Sequence, residues 1–144
     1  MIIANWKMNG SKKLVKDWID SITKDIEINP GKDCIFCPPI CYIDYSRRII
    51  NEHDNNLKLG SQKIDTLIHA PFTGGLSAEM LVDLGCQYVI IGHSEQRMNL
   101  HETNLDLSSK LKNTKEMDLK PIFCIGESLE QKNSNITKEV LNEQ

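Results

Sequence analysis

Five short apolar runs recur along the chain at intervals of roughly 30 residues: Ile2–Asn5, Cys34–Cys37, Leu57–Gly60, Tyr88–Ile91 and Pro121–Ile125. This repetition constrains the fold more than any single residue does. Each run has the length of a strand. The stretches between them carry helical rather than alternating periodicity. Between the first two runs, Leu14, Val15, Trp18, Ile19, Ile22 and Ile26 form one face of an amphipathic helix that starts near Ser11 and is stopped by Pro30-Gly31. A second helix is expected from Ile43 to His53. A third starts at Ser77, a good N-cap, and stops at Gly85. A fourth covers about Glu102 to Met117, with Leu105 and Leu111 facing inward. Strand–helix–strand units of this kind join parallel strands by right-handed crossovers. The strand runs are continuously apolar, so both faces of the sheet are expected to be covered. Polar residues follow the runs, and the stripe Ile136, Val140, Leu141 begins one more helix. The chain is expected to break off there, short of a finished fold.

Composition narrows the classes that remain. The chain has 144 residues, a net charge of −3 and 40% hydrophobic residues. It is too apolar and too weakly charged for disorder. A sequence pI near 5.8, without a local Lys/Arg cluster, argues against nucleic acid as a partner. No run approaches the ~20 apolar residues of a membrane span. The start, Met1-Ile2-Ile3-Ala4-Asn5-Trp6-Lys7, lacks the features of a signal peptide. A soluble, cytoplasmic protein is the expectation. Five cysteines, an odd number, fit free thiols better than a disulfide framework. Cys34, Cys37 and Cys41 have a spacing suggestive of metal, but Cys34 and Cys37 fall on opposite faces of a strand and no fourth ligand follows. Buried structural thiols are expected, with no metal and no cofactor.

Residues of chemical character cluster just after the strands: Asn5 and Lys7, Gln62, His93 with Ser94 and Glu95, and Glu127. Parallel α/β folds place their active sites at that end of the sheet. A lysine there can neutralise an anion and stabilise developing negative charge, or it is merely a solvated strand end. An imidazole at the start of a helix tends to stay neutral and can polarise a carbonyl, or it simply caps a turn. Glu95 could serve as a base, as a partner for Lys7 or as a first-turn acid. The loop Ala70-Pro71-Phe72-Thr73-Gly74-Gly75-Leu76-Ser77 carries exposed apolar residues, which suits a partner surface or a loop folded back on its own domain.

Four motifs, Asn5-Trp6-Lys7-Met8-Asn9-Gly10, Phe72-Thr73-Gly74, Gly92-His93-Ser94-Glu95 and Cys124-Ile125-Gly126-Glu127, resemble those of triosephosphate isomerases in order and spacing. The resemblance extends from Met1 to about Glu139. It implies an α/β fold, a parallel (β/α)₈ barrel of the TIM type. Here the barrel would be truncated to about five βα units and open, the whole chain being the N-terminal portion of a single domain. It also implies interconversion of dihydroxyacetone phosphate and glyceraldehyde 3-phosphate. In that reading Asn5 and Lys7 bind substrate, Lys7 supplies electrostatic stabilisation, His93 is the electrophile and Glu95 orients Lys7 and the His93 loop. Cys124 and Glu127 support the site from behind. Thr73 belongs to the interdigitating loop of the family's homodimer.

Three departures from the family's pattern carry consequences. The family usually has an acid where this chain has Gly75 and an arginine where it has Gln96, so an ion pair between neighbouring loops is absent and the dimer is expected to be weaker, with no charge left orphaned. The family's catalytic glutamate, in the motif Tyr-Glu-Pro-x-Trp-Ala after the sixth strand, does not occur in this sequence. A barrel of this type typically needs about 250 residues. The chain alone is therefore expected to be inactive, since isomerisation needs a positioned base. Alternatives are half of a split enzyme completed by a second, C-terminal fragment, a non-enzymatic remnant or interaction module, or an unrelated five-stranded α/β domain.

Overall fold

The computed structural model describes residues 1–25, 33–53 and 56–144. The expected stop at Pro30-Gly31 and the stripe residue Ile26 lie outside that set. Five strands occur: β1 (Ile2–Asn5), β2 (Cys34–Cys37), β3 (Leu57–Ser61), β4 (Tyr88–Ile91) and β5 (Lys120–Phe123). They pair in parallel in sequence order. Ile3 lies opposite Ile35, Ile35 opposite Lys58, Gly60 opposite Tyr88 and Ile90 opposite Ile122. The helices are α1 (Lys12–Asp25), α2 (Ile43–Asn51), α3 (Ala78–Asp83), α4 (Ser94–Asn99), α5 (Asn104–Glu116), α6 (Leu129–Asn133) and α7 (Thr137–Glu143), with a 3₁₀ turn at Ile40–Tyr42. The result is a curled half-barrel, an α/β arrangement of truncated TIM type.

The helices cover one face only. Their apolar residues Val15, Ile19, Ile43, Ile50, Leu81 and Leu107 join Cys34, Phe36, Leu57, Leu59, Val89 and Ile91 in one core. Trp6 meets Trp18 and Phe36 edge to face against it, and Trp18 lies tilted on Phe36, with ring centroids 4.6–5.6 Å apart. The other face forms a separate cluster of Ile35, Cys37, Tyr88 and Ile90, edged by Ile122 and Cys124, and no helix among the described residues contributes to it. Both faces of β2 and β4 are buried, as expected, although helices lie on only one of them. The concave face is shielded by the sheet's own curl, because successive strands bring their side chains together. Gly60 shows how tightly: a Cβ there would sit 2.6 Å from Cys37 Sγ. At the lower rim of this face the Tyr88 hydroxyl donates to Asp33 at 2.6 Å, and Lys58 pairs with the same carboxylate at 3.0 Å.

Several local expectations shift. Ser77 caps α3 by accepting from the Met80 N–H, and Gly85 ends that region at φ 77°, both as the sequence suggests. The fourth helix, however, faces inward through Leu107, whereas Leu105 is 78% exposed. Thr103 and Asp106 form a capping box that starts α5 two residues later than expected. The fifth strand begins at Lys120 rather than Pro121, and Ile125 lies beyond it. Cys41 is exposed, unlike Cys34, Cys37 and Cys86, so it is not a buried structural thiol. Cys34 and Cys37 do separate onto opposite faces.

Candidate active site

The ends of β1, β3 and β4 open into one cleft of about 810 Å³, lined by Asn5, Lys7, Gln62, His93 and Glu95. The chain leaves β1 through a tight turn in which Asn5 Oδ1 accepts from the Lys7 N–H at 3.0 Å. Lys7 adopts φ 51°, a left-handed conformation disfavoured for a residue with a long side chain, and strain of this sort clusters at working sites. That turn sends the Lys7 ammonium across to Glu95, where Nζ donates to Oε1 at 2.8 Å. Both side chains are about half exposed, so the pair fixes direction more than it stabilises the fold. The ammonium holds the Glu95 carboxyl below the usual carboxylate range. Gln62 is anchored by donating to the Cys37 carbonyl at 2.8 Å.

His93 is the N-cap of α4, and its Nδ1 accepts from the Glu95 N–H at 3.3 Å. A backbone N–H can only donate, so Nδ1 is the bare nitrogen and Nε2 carries the proton. The same nitrogen lies 3.4 Å from Glu95 Oε2. That contact would need the proton on Nδ1, so the backbone bond takes precedence.

Sequence reasoning missed Arg97. Its guanidinium donates from Nε to the Gly92 carbonyl at 2.9 Å, from Nη1 to Asn104 Oδ1 at 2.8 Å and from Nη2 to the Cys124 carbonyl at 3.3 Å. Gly92 has φ 74°, and a Cβ there would lie 3.0 Å from Arg97 Nη2 and 3.1 Å from the Cys124 carbonyl oxygen. The glycine before His93 is thus required twice, by its dihedral and by the guanidinium packed against it. The one available signal was an arginine five residues after a glycine at a strand end, which by itself says little.

With this geometry in place, comparison with known proteins decides the family. The model of the family described as Triosephosphate isomerase matches residues 1–144. The chain belongs to the triosephosphate isomerase family. It is 40% identical over 146 residues to the triosephosphate isomerase of Buchnera aphidicola subsp. Cinara cedri, covering 100% of this chain and 57% of that one. It is 39% identical to the Vibrio cholerae protein over 97% of this chain and 54% of the relative. It is 37% identical to the Salmonella newport protein, again over 97% and 54%. The chain thus spans about half the length of the curated relatives it matches.

Against the triosephosphate isomerase pattern, the remaining expected residues fall in two other places. Cys124 and Glu127 line a neighbouring cleft of about 620 Å³ that His93 shares but Lys7 does not. Glu127 Oε1 accepts from the Thr137 hydroxyl at 3.4 Å, and Gln144 holds the Gly126 peptide from both sides at 2.9 Å. Thr73 is exposed and outside the main cleft, although Gly74 and Gly75 line it. Its loop is pinched at the neck: the Asp65 N–H donates to the Leu76 carbonyl at 2.9 Å, and Asp65 Oδ2 accepts from the Leu76 N–H at 2.6 Å. Phe72 at the tip is 63% exposed. Beneath the loop, Gly75 and Gln96 border a further cleft of about 680 Å³. There the Glu102–Lys110 ion pair is nearly buried, and Glu102 Oε2 has no hydrogen-bond partner among the described residues. Among the described residues, no group of three or more His, Cys, Asp or Glu could hold a metal ion. No helix of the described residues is long and apolar enough to cross a membrane.

Proposed function

We propose that this chain supplies the electrophilic half of a triosephosphate isomerase site. The single observation that supports this reading is the meeting of Lys7 and Glu95, 88 residues apart in sequence, beside His93 in one open cleft. The substrate is a triose phosphate, dihydroxyacetone phosphate or D-glyceraldehyde 3-phosphate. Asn5 and Lys7 bind it, and the Lys7 ammonium offsets the negative charge that builds on the substrate oxygens as a carbon-bound proton leaves. His93 donates from Nε2 to the carbonyl oxygen and shuttles a proton between the two oxygens. Glu95 aims Lys7, while Cys124 and Glu127 back the wall next to His93. No cofactor takes part. The setting is the cytoplasm, which five free thiols suit. In a homodimer the Thr73 loop would reach towards the partner, with weaker hold than usual because Gly75 and Gln96 are neutral.

Neither carboxylate close to the site is free to abstract the proton. Glu95 is engaged by Lys7, and Glu127 by Thr137. The base and the phosphate grip belong to strands beyond the fifth, supplied in the same polypeptide or by a second fragment. A coupled assay tests this. The 144-residue chain should show no turnover above background, and adding three further βα units carrying Tyr-Glu-Pro-x-Trp-Ala should bring turnover that Lys7→Ala or His93→Gln removes. Turnover by the chain alone that vanishes in His93→Gln would sink the missing-base reading. Rescue indifferent to Lys7 would remove that residue from the site.

A further inference from the structure

The geometry points to Arg97 as the positioning residue that fixes the tautomer and aim of His93. This rests on the reading of His93 as the site's working group, and the test below reads the ring itself. The Gly92–His93 peptide is the stem from which the imidazole hangs. Its carbonyl is held by Arg97 Nε at 2.9 Å. Because the peptide unit is planar, holding that carbonyl also orients the His93 N–H and so limits its φ. His93 then sits at φ −56°, ψ 139°, which brings Nδ1 to the Glu95 N–H.

The guanidinium is itself tied down from two further sides. Nη2 donates to the Cys124 carbonyl just past β5, and Nη1 to Asn104 in the first turn of α5. Its carbon lies 6.0 Å from the centre of the Phe123 ring. One planar fork thus spans the loop after β4, the end of β5 and the start of α5. A lysine, with donors on a single point charge, cannot meet three such directions at once. Arg97 is not among the residues lining the main cleft, although it borders the neighbouring cleft that His93 shares. Its effect passes through His93.

Acylation by diethyl pyrocarbonate, followed residue by residue by mass spectrometry on the dilute 144-residue chain, tests the assignment. His69 serves as the internal reference, since its side chain is 80% exposed and lies against Glu79 rather than any group bonded by Arg97. In the parent chain His93 should react slowly, its bare nitrogen being engaged. Arg97→Met should raise the His93 rate roughly tenfold, the scale of a lost hydrogen bond to a charged group, with His69 unchanged. Non-denaturing guanidinium ion should restore the slow rate, and ¹⁵N shifts of the ring should show proton appearing on Nδ1 in the variant and leaving on rescue. Arg97→Lys, which keeps the charge, should behave like Arg97→Met. An unchanged His93 rate in a folded Arg97→Met chain overturns the proposal. So does a rise shared by every histidine, loss of fold in both variants, or failure of guanidinium to rescue. The isomerase reading fails separately, if His93→Gln leaves turnover intact in the closed barrel.

Discussion

Strands β4 and β5 lie side by side in register, Val89 opposite Pro121 and Ile91 opposite Phe123, yet every residue of β4 is buried and none of β5 is. Composition accounts for part of this, since β5 begins with Lys120 and Pro121. The larger part is neighbourhood. Among the described residues, β4 has a strand on each side and a helix layer behind it, whereas β5 has one partner strand. β1 repeats the pattern at the opposite edge, with Ile2 at 62% exposure. In a sheet meant to curl, burial is thus a property of a strand's neighbours before it is one of its own side chains. Pro121 can be accommodated because an edge strand need not offer every N–H.

Thiol chemistry should show the contrast most strongly. Burial pushes Cys37, in the middle of the sheet, up to about 12. Cys41 is exposed. Near pH 8, Cys37 should be labelled on the order of a thousandfold more slowly than Cys41, because only the thiolate reacts. Cys124, half-buried beside the open edge, should fall between them. Equal rates for Cys37 and Cys124 would erase the distinction between centre and edge. Core truncation comes next. Phe36→Ala, which removes a ring packed against Trp6 and Trp18, should cost about 3–5 kcal/mol in urea unfolding. Ile2→Ala should stay within about 0.5 kcal/mol. A large loss at Ile2 would mean that the edge is covered in solution, for example by association of the chain with itself.

The smallest effect should come from acidity at the lower rim. The Tyr88 hydroxyl, then Lys58, hold Asp33 below the usual carboxylate range. A lowered folded value adds stability above the unfolded one and loses it as pH falls through the folded one. The same hydrogen bond, with burial, raises Tyr88 to about 12, so its share is present below the ordinary phenol range and is lost as pH rises through about 12. Asp33→Asn should therefore flatten the urea midpoint's dependence on pH at both extremes while leaving neutral behaviour only slightly weaker. An unaltered acid limb would show that Asp33 is solvated rather than engaged.

The sheet was legible because its signal is repetitive: all five strands overlap the short apolar runs spaced along the chain, and Ser77 and Gly85 mark α3 by cap chemistry. Lys7, Glu95 and His93 were legible as strand-end residues, and their convergence follows from parallel strands opening at a common rim. What escaped were features set by tertiary contact. Leu107 rather than Leu105 faces inward because the Thr103 capping box sets the rotation of α5. What covers the concave face escaped too, since apolar runs look alike whether a helix or a curled sheet covers them. Arg97 was missed because its importance lies in three carbonyl and amide oxygens brought together from different elements, and no local pattern records that.

The two-way bond between Asp65 and Leu76 closes a ring around residues 66–75. The chain enters and leaves that ring through nearly the same point, and between them Thr66 accepts from Asn113 of α5 while His69 lies against Glu79 of α3. Its tip can then be lengthened, shortened or exchanged at little cost, since doubling a flexible loop adds only about 0.6 kcal/mol of closure entropy. A tip closed off at its neck is free to diversify while the sheet beneath it stays constant. Partner preference at the tip could then drift with little effect on the chemistry at the rim, and Asp65, at the neck between them, would be the residue whose loss joins the two again.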